Sequence, residues 1–523
     1  MIAIIVTAPI LAVVYFALTP TANIWPHLLD TVLPRYVRNT VFLMTVVGLL
    51  SAAMGAGAAW IVVMYQFSGR KWLQWALLMP LAVPAYVGAY ALVDFLEYAG
   101  PVQSALRDIM GYQSSRDYWF PQIRTPGAAA VVLSMALYPY VYILARAAFR
   151  EQSGAAFEVA RTLGAGPFAR FWRVGLPLAR PAIAAGAAIV MMETVNDFGT
   201  VDYFSVQTLT TGIFSAWRQG GNLGGAAQIA SCVLVLIVLL VAIEKIGRRK
   251  SRYSGAARNQ RPVTPAPLHG WRNLLAFTAC TFPFAMGFVL PVGVLLGHAF
   301  DANEWAAPGL MAALARTVIV CGSAAILTVA GALFMVYGVR LSGRQLPRLL
   351  MPVTALGYAA PGAVLALGIL VPLATIDNAL ADFLLAVTGH DPGLLLLGSG
   401  GILVLAYVVR FFAIAQGATD AALGRVPESL PMAARSLGRS AGGTLRAVHV
   451  PMIRASIASA LLLVFVDAVK ELPATLLLSF EETLATRVHA KASLENLTEA
   501  APAALMIMLV GLAAVVLLAR AQR

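Results

Sequence analysis

Long apolar runs alternate along this chain with short polar islands, and both recur. A run of about twenty apolar residues is enough for a helix to cross the hydrocarbon core of a bilayer. Such runs fall near residues 3–19, 40–65, 75–95, 127–148, 182–198, 227–246, 274–298, 316–338, 351–372, 397–417, 455–471 and 501–519, and predict about twelve transmembrane helices. Two polar islands between them share a pattern. Glu158 to Pro177 reads EVARTLGAGPFARFWRVGLP, and Met432 to Pro451, 274 residues further on, reads MAARSLGRSAGGTLRAVHVP. In each, a small-residue helical start leads to Arg-(Thr/Ser)-Leu-Gly, and a Pro follows thirteen residues after the Gly. A short helix broken at the Gly, then stopped by the Pro, predicts a helical hook across one face of the membrane.

The repeat extends beyond the hooks. Phe-Ser-Gly-Arg at 67–70 matches Leu-Ser-Gly-Arg at 341–344, LMP at 78–80 matches LMP at 350–352, and Arg-Asn-Thr at 38–40 resembles Ala-Arg-Thr at 315–317. Six spans in each copy is an even number, so both copies insert the same way round. The predicted fold class is an all-α integral membrane protein of two like-oriented six-helix halves, related by a pseudo-twofold axis along the membrane normal, with any pathway at their interface. The halves are expected at 1–246 (core about 35–246) and 273–523 (core about 312–523). Residues 247–272, rich in Arg, Pro, Ser and Asn, read as the connector. The first run has no basic residue before it and no clear small-residue cleavage site, which favours a retained helix over a signal peptide.

Composition closes off other classes. With 60% hydrophobic and 12% charged residues and a mean hydropathy of +0.79, the chain is not a soluble globular domain. A net charge of +13 would suit nucleic acid until the charges are placed. They collect in alternate loops: Arg70 and Lys71; six arginines from Arg146 to Arg180; eight Lys/Arg from Lys245 to Arg272; Arg340, Arg344 and Arg348; five arginines from Arg425 to Arg454. The intervening loops are acidic or mixed, with Asp377, Asp382 and Asp391 in one, and Glu481, Glu482, Glu495 and Glu499 around Arg487 and Lys491 in another. This is the positive-inside rule, which predicts cytoplasmic termini and requires no nucleic acid. Cys232, Cys280 and Cys321 fall inside apolar runs, where helix packing suits them better than a disulfide or metal site.

Two motifs mislead. LSGRQ at 341–345 is close to a nucleotide-contacting signature, yet it lies in a short loop whose repeat mate is FSGRK at 67–71. No GxxxxGK(S/T) phosphate loop occurs anywhere, so the chain is expected to hydrolyse no ATP by itself. GNLGGAA at 221–227 has no strand before it and reads as the start of a helix.

The repeated hook resembles the EAA loop of permease subunits from binding-protein-dependent ABC importers. The first copy fits that pattern at Glu158, Ala160, Gly164, Val174, Leu176 and Pro177. The second fits at Ala433, Ala434, Gly438, Val448, Val450 and Pro451, with Met432 where the family has Glu. Two such loops in one chain look like the fused permeases that transport iron(III). So do ETVNDFGTVDYFSVQTLTTGIFSAW at 193–217 and KELPATLLLSF at 470–480. The resemblance implies a bacterial inner-membrane protein with two copies of an ABC ATPase, one on each hook, and a periplasmic substrate-binding protein. It also implies that ATP and Mg belong to the partner ATPase, with no cofactor bound by this chain. Phe168, Phe171 and Trp172, set among Arg161, Arg170 and Arg173, are the residue types of interface hot spots. One copy would equally suit a helix resting in the headgroups, but two at matched positions favour docking.

The transport path offers four acids. Glu193 and Asp197 map under the 274-residue offset onto Asp467 and Glu471, each pair four residues apart. Residues at i and i+4 share a helix face, so the pseudo-twofold would bring four carboxylates together near the outer half of the bilayer. Acids at that depth usually face a pathway or a partner, and carboxylates suit a hard cation. The expectation is a vestibule for a ferric ion or chelate; the plainer alternative is local pairing, Glu471 with Lys470 or an arginine. Whether a metal is held directly stays open. Tyr203 is expected as a belt aromatic, and His390 and His449 as loop residues without a second ligand. Rival readings are an importer of the same class for thiamine, a phosphonate or another small solute, an ion-driven secondary transporter, and a membrane scaffold.

Overall fold

A computed structural model describes the chain from Ile2 to Ala521, except residues 21–22, 250–262, 302, 344, 346–350, 352–353, 355–356, 358–359, 398, 428 and 480. Half of the connector expected at 247–272 lies outside the described residues, as do parts of the 341–345 and 350–352 repeat segments. The fold is helical. Among the described residues the only sheet is a two-residue parallel pairing of Tyr65–Gln66 with Ala266–Pro267.

Ten described helices are long and apolar enough to cross a membrane: Leu33–Met64, Pro126–Arg150, Pro167–Asn196, Leu223–Glu244, Trp271–Phe300, Leu310–Ser342, Gly362–Thr388, Gly401–Gly424, Ala441–Lys470 and Leu497–Leu517. Arg70–Ala82 and Ala85–Met110 form an eleventh, bent by 95°. Ile2–Leu18 is apolar but has only 17 residues.

The bent pair corrects the straight span expected at 75–95. Pro80 and Pro84 each remove a backbone donor and clash with the preceding turn, so the chain passes through a short 3₁₀ segment, Met79–Ala82, and restarts at Ala85. A second correction concerns the loop assigned to Asp377 and Asp382. Both lie inside Gly362–Thr388. Asp377 is buried and accepts hydrogen bonds at 2.9–3.0 Å from the amides of Leu395, Leu396 and Leu397, which tie the returning segment to the helix.

The elements of residues 33–249 recur in order over 310–521. Leu33–Met64, Pro126–Arg150 and Leu176–Asn196 pack as one trio, and Leu310–Ser342, Gly401–Gly424 and Val450–Lys470 as another. Even single hydrogen bonds repeat: the Leu209 amide donates to Thr40 Oγ1 and the Leu484 amide to Thr317 Oγ1, both at 3.0 Å. Gly69 and Gly343, the turn glycines of the two Ser-Gly motifs, have φ of 79° and 61°. The first helix of each copy crosses over. Ile2–Leu18 packs on Leu223–Arg249 of its own copy and on Gly362–Thr388 of the other; Leu290–Asp301 packs on Leu497–Ala521 and on Ala85–Leu96. Cys280 and Cys321 are buried in helices and Cys232 half-buried in one.

Close packing relies on small residues, as expected where lipid supplies no hydrophobic drive between helices. A Cβ on Gly55 would stand 2.8 Å from the Tyr138 carbonyl oxygen, and one on Gly186 would stand 2.8 Å from Val141 Cα. Backbone cannot give way cheaply, so Gly55→Leu or Gly186→Leu should separate the first trio at a cost of about 1–3 kcal/mol or more. The expected outcome is a lowered melting temperature in detergent, while Gly57→Leu, whose Cβ would meet nothing within 4 Å, should leave it near native.

Candidate functional site: paired hooks and an interfacial cavity

Each hook begins with a short helix, Gly154–Thr162 or Ser429–Ser436, which ends in the same way. Gly164 and Gly438 both take φ of 80°, a left-handed conformation open to glycine at little cost. The amide three positions beyond the helix then reaches back: Ala165 donates to the Ala160 carbonyl at 2.9 Å, Arg439 to the Ala434 carbonyl at 3.1 Å. These are Schellman closures, and the motif alanines supply the accepting carbonyls.

Beyond the glycine, the expected stop at Pro177 and Pro451 does not occur. Pro167–Asn196 and Ala441–Lys470 run on as long spans. Five-residue π turns, Phe171–Gly175 and Leu445–His449, precede the prolines and shift the hydrogen-bond ladder by one residue. The shift accommodates the missing proline N–H and relieves the clash with the preceding carbonyl. The same device, Ala285–Val289, precedes Pro291.

The hooks present different surfaces. Leu163 and Leu437, just before the glycines, are 81% and 85% exposed; Phe168 and Trp172 are exposed on the first hook only. Phe171, expected at the surface, packs edge-on against Trp60 with centroids 5.1 Å apart, beside Phe149 and Phe157. Gly175 lets Trp60 in: a Cβ there would lie 2.3 Å from the indole. In the second hook Tyr337 does the same work, donating to the Ala441 carbonyl at 2.7 Å and meeting the His449 ring at 5.2 Å. His449 therefore lies in the hook helix rather than a loop. Glu158, Met432, Ala433, Pro177 and Pro451 are exposed, Ala434 is buried, and Ala160, Val174 and Val448 are half-buried. The exposed Leu163 and Leu437 were signalled only by their place before the glycine.

The four acids line one cavity of about 120 Å³ between the two copies, together with Tyr86, Asn196, Arg410 and Lys470. They do not act alike. Asp197 and Glu471 sit just past their helices in extended conformation, not on the helix face expected from i,i+4 spacing. Each caps the next short helix. Asp197 accepts from the Thr200 amide at 2.9 Å and hydroxyl at 3.1 Å; Glu471 accepts from the Ala474 and Thr475 amides at 3.1 Å. Unpaired first-turn N–H groups demand such acceptors. Asp467 lies 3.3 Å from Lys470, and Glu471 3.6 Å from Arg410. Among the described residues no group of three or more His, Cys, Asp or Glu converges as a metal-binding cluster.

On the face away from the hooks, Arg124 bridges Glu97 and Glu495, each at 2.6 Å, and its guanidinium covers the Tyr203 ring at 5.0 Å. The hydrogen bond that Arg124 donates to Glu97 holds its guanidinium above its ordinary pKa. Tyr203 also meets the Tyr90 ring edge-on with centroids 4.5 Å apart, so it belongs to this inter-copy network rather than to a lipid-facing belt. His298 contacts Asp94 at 2.9 Å, and Arg487 contacts Glu304 at 2.8 Å and Glu482 at 3.1 Å. Glu481 pairs with Arg316 at 2.9 Å, so the acids of this region are largely committed. His390 lies in a loop, as expected.

Residues 44–253, which hold the first hook and the Glu193–Asp197 pair, match the family described as binding-protein-dependent transport system inner membrane component. That match spans about two fifths of the chain, which resembles permeases of such import systems. The chain is 25% identical over 483 residues to the Fe(3+)-transport system permease protein FbpB 2 of Haemophilus influenzae, covering 90% of this chain and 87% of that one. It is 25% identical over 474 residues to the ferric transport system permease protein FbpB of Actinobacillus pleuropneumoniae, covering 86% and 65%. A shorter relative, the molybdenum transport system permease protein ModB of Escherichia coli, is 28% identical over 213 residues, which are 39% of this chain and 90% of ModB.

The aromatic support makes a checkable difference between the hooks. Trp60→Ala removes the ring that holds Phe171 and faces Gly175, at about 3–5 kcal/mol for a buried Trp. Faster proteolysis or amide exchange is expected in residues 154–175, with 429–449 unchanged. Equal loosening of both hooks would contradict separate supports.

Proposed function

We propose that this permease moves iron(III) from a periplasmic binding protein into the cytoplasm by alternating access, driven by two ATPase subunits docked on the two hooks. The observation that carries the reading is the near full-length similarity to permeases named for ferric transport, joined to two hooks of matched geometry. In this reading the halves divide at the connector, both termini are cytoplasmic, and the membrane is the bacterial inner membrane, consistent with basic residues on the hook side. Leu163 and Leu437 are the shared anchors, with Phe168 and Trp172 adding contact on the first hook. ATP and Mg are held by the ATPase subunits. A second cargo deserves a place in the test: relatives named for molybdenum and sulfate transport match about two fifths of the chain, and Arg410 faces the cavity.

The test is ATPase activity of the permease with its candidate ATPase in lipid, with and without binding protein carrying ferric iron, molybdate or sulfate. Stimulation by the ferric-loaded protein is expected. Gly164→Val with Gly438→Val should abolish it, because a β-branched residue at φ of 80° is strained by about 1–2 kcal/mol or more per site. The Asn versions, which tolerate that conformation, should retain most of it. Stimulation only by molybdate or sulfate would overturn iron. Failure to bind any ATPase would overturn the whole reading.

A further inference from the structure

The interfacial cavity carries an asymmetry that the repeat does not require. Arg410 and Lys470 line it from the second copy; the residues 274 positions earlier are Ala136 and Asn196. One copy has therefore acquired two cations in a place where a passage for a bare trivalent cation would gain nothing from them.

Arg410 is only 7% exposed, and its Nε and Nη1 have no hydrogen-bond partner within the protein. Its neighbour Glu471 stands 3.6 Å away, close enough for attraction but beyond a hydrogen bond. The oxygens of Glu471 are taken by the Ala474 and Thr475 amides. Gly362 presses on this pair: a Cβ there would lie 2.7 Å from Arg410 Nη1 and 2.1 Å from Glu471 Oε1, so the guanidinium has little freedom to turn away. Tyr86 Oη and Asn196 Oδ1, from the first copy, line the same cavity and likewise have no partner within the protein. Buried polar groups are normally satisfied, and a guanidinium left with unused donors is costly. Convergence of three such groups from both copies on one cavity marks it as a place for a polar occupant.

Resting on the iron reading, we propose that the cavity takes ferric iron as an anionic complex, with Arg410 facing an oxyanion ligand of the metal, of carboxylate, carbonate or phosphate type. A bare ferric ion would find Asp197 and Glu471 committed to helix caps. It would also meet a fixed positive charge. A complex brings its own oxygen donors to the metal and offers lone pairs to the planar guanidinium fork, the geometry in which Arg binds carboxylate and phosphate best. Tyr86 can donate to the same ligand. The carboxylates of Glu193 and Asp467 then favour the metal side of the complex and oppose tight retention of its anionic side, which lets the cargo leave. A volume of about 120 Å³, well under the roughly 300–1,000 Å³ of sites for drug-sized ligands, limits the ligand to a compact one.

The experiment uses the intact permease with its ATPase in proteoliposomes and ferric-loaded binding protein outside. Iron and the oxyanion are labelled separately, with carbonate, phosphate and citrate tried in turn. One oxyanion should accumulate with iron in fixed proportion. Arg410→Met should lower uptake of both by roughly ten- to hundredfold, the worth of a hydrogen bond to a charged group. Because Arg410→Met leaves Glu471 uncompensated, the double variant Arg410→Met, Glu471→Gln is measured alongside it. It removes both charges and keeps an oxygen for the cap, and it should stay defective. Iron accumulating without any oxyanion would overturn the proposal and leave the iron reading intact. Native uptake by the double variant would also overturn it, reducing Arg410 to a counter-charge. Accumulation of molybdate or sulfate without iron would instead overturn the iron reading, and this proposal with it.

Discussion

Inside a bilayer an interrupted helix survives only if the protein itself takes up the freed peptide groups, and this chain interrupts its helices often. After Leu176–Asn196 and after Val450–Lys470 the chain breaks, turns and starts again. In both places an acid one residue past the helix caps the next one, and a threonine from the opening long helix accepts a further amide. The cavity exists because these breaks exist. Its walls are the two capped corners brought face to face, and two of its four acids, Asp197 and Glu471, hold those corners together.

Against that shared framework, the differences between the copies carry the information. The first hook is backed by Trp60 and exposes Phe168 and Trp172; the second is backed by Tyr337 and has Gly442 and Arg446 at the corresponding positions. The cavity receives cations from one side only. A permease made of two separate identical subunits could not make either distinction. Joining both copies in one chain allows each to specialise while the corners stay the same.

Much of this was legible in the sequence because it rests on period and offset. Apolar runs gave the spans, the hook pattern gave paired loops, and the 274-residue offset put four acids in register, where the structure does line one cavity with them. What escaped was decided by backbone accounting. Pro177 reads as a helix stop, yet a π turn absorbs it. Asp197 reads as a second acid on a helix face, yet an uncapped turn just ahead claims it. Asp377 reads as a loop residue, yet three amides returning from a distant segment draw it into a buried helix position. Phe171 and Phe168 look alike in sequence, and only the fit of Trp60 over Gly175 separates them. Arg410 sat inside an apolar run with no signal beyond its own charge.

The crossed first helices set how the two copies can part. Ile2–Leu18 reaches from its own bundle onto Gly362–Thr388, so closely that a Cβ on Gly368 would fall 2.0 Å from the Pro9 carbonyl oxygen; Leu290–Asp301 returns the embrace on Ala85–Leu96. Each bundle thus wears a strap anchored in the other. Pulling them straight apart would peel both straps at once. The arrangement is a double clasp: neither copy can leave without stripping a helix from the other.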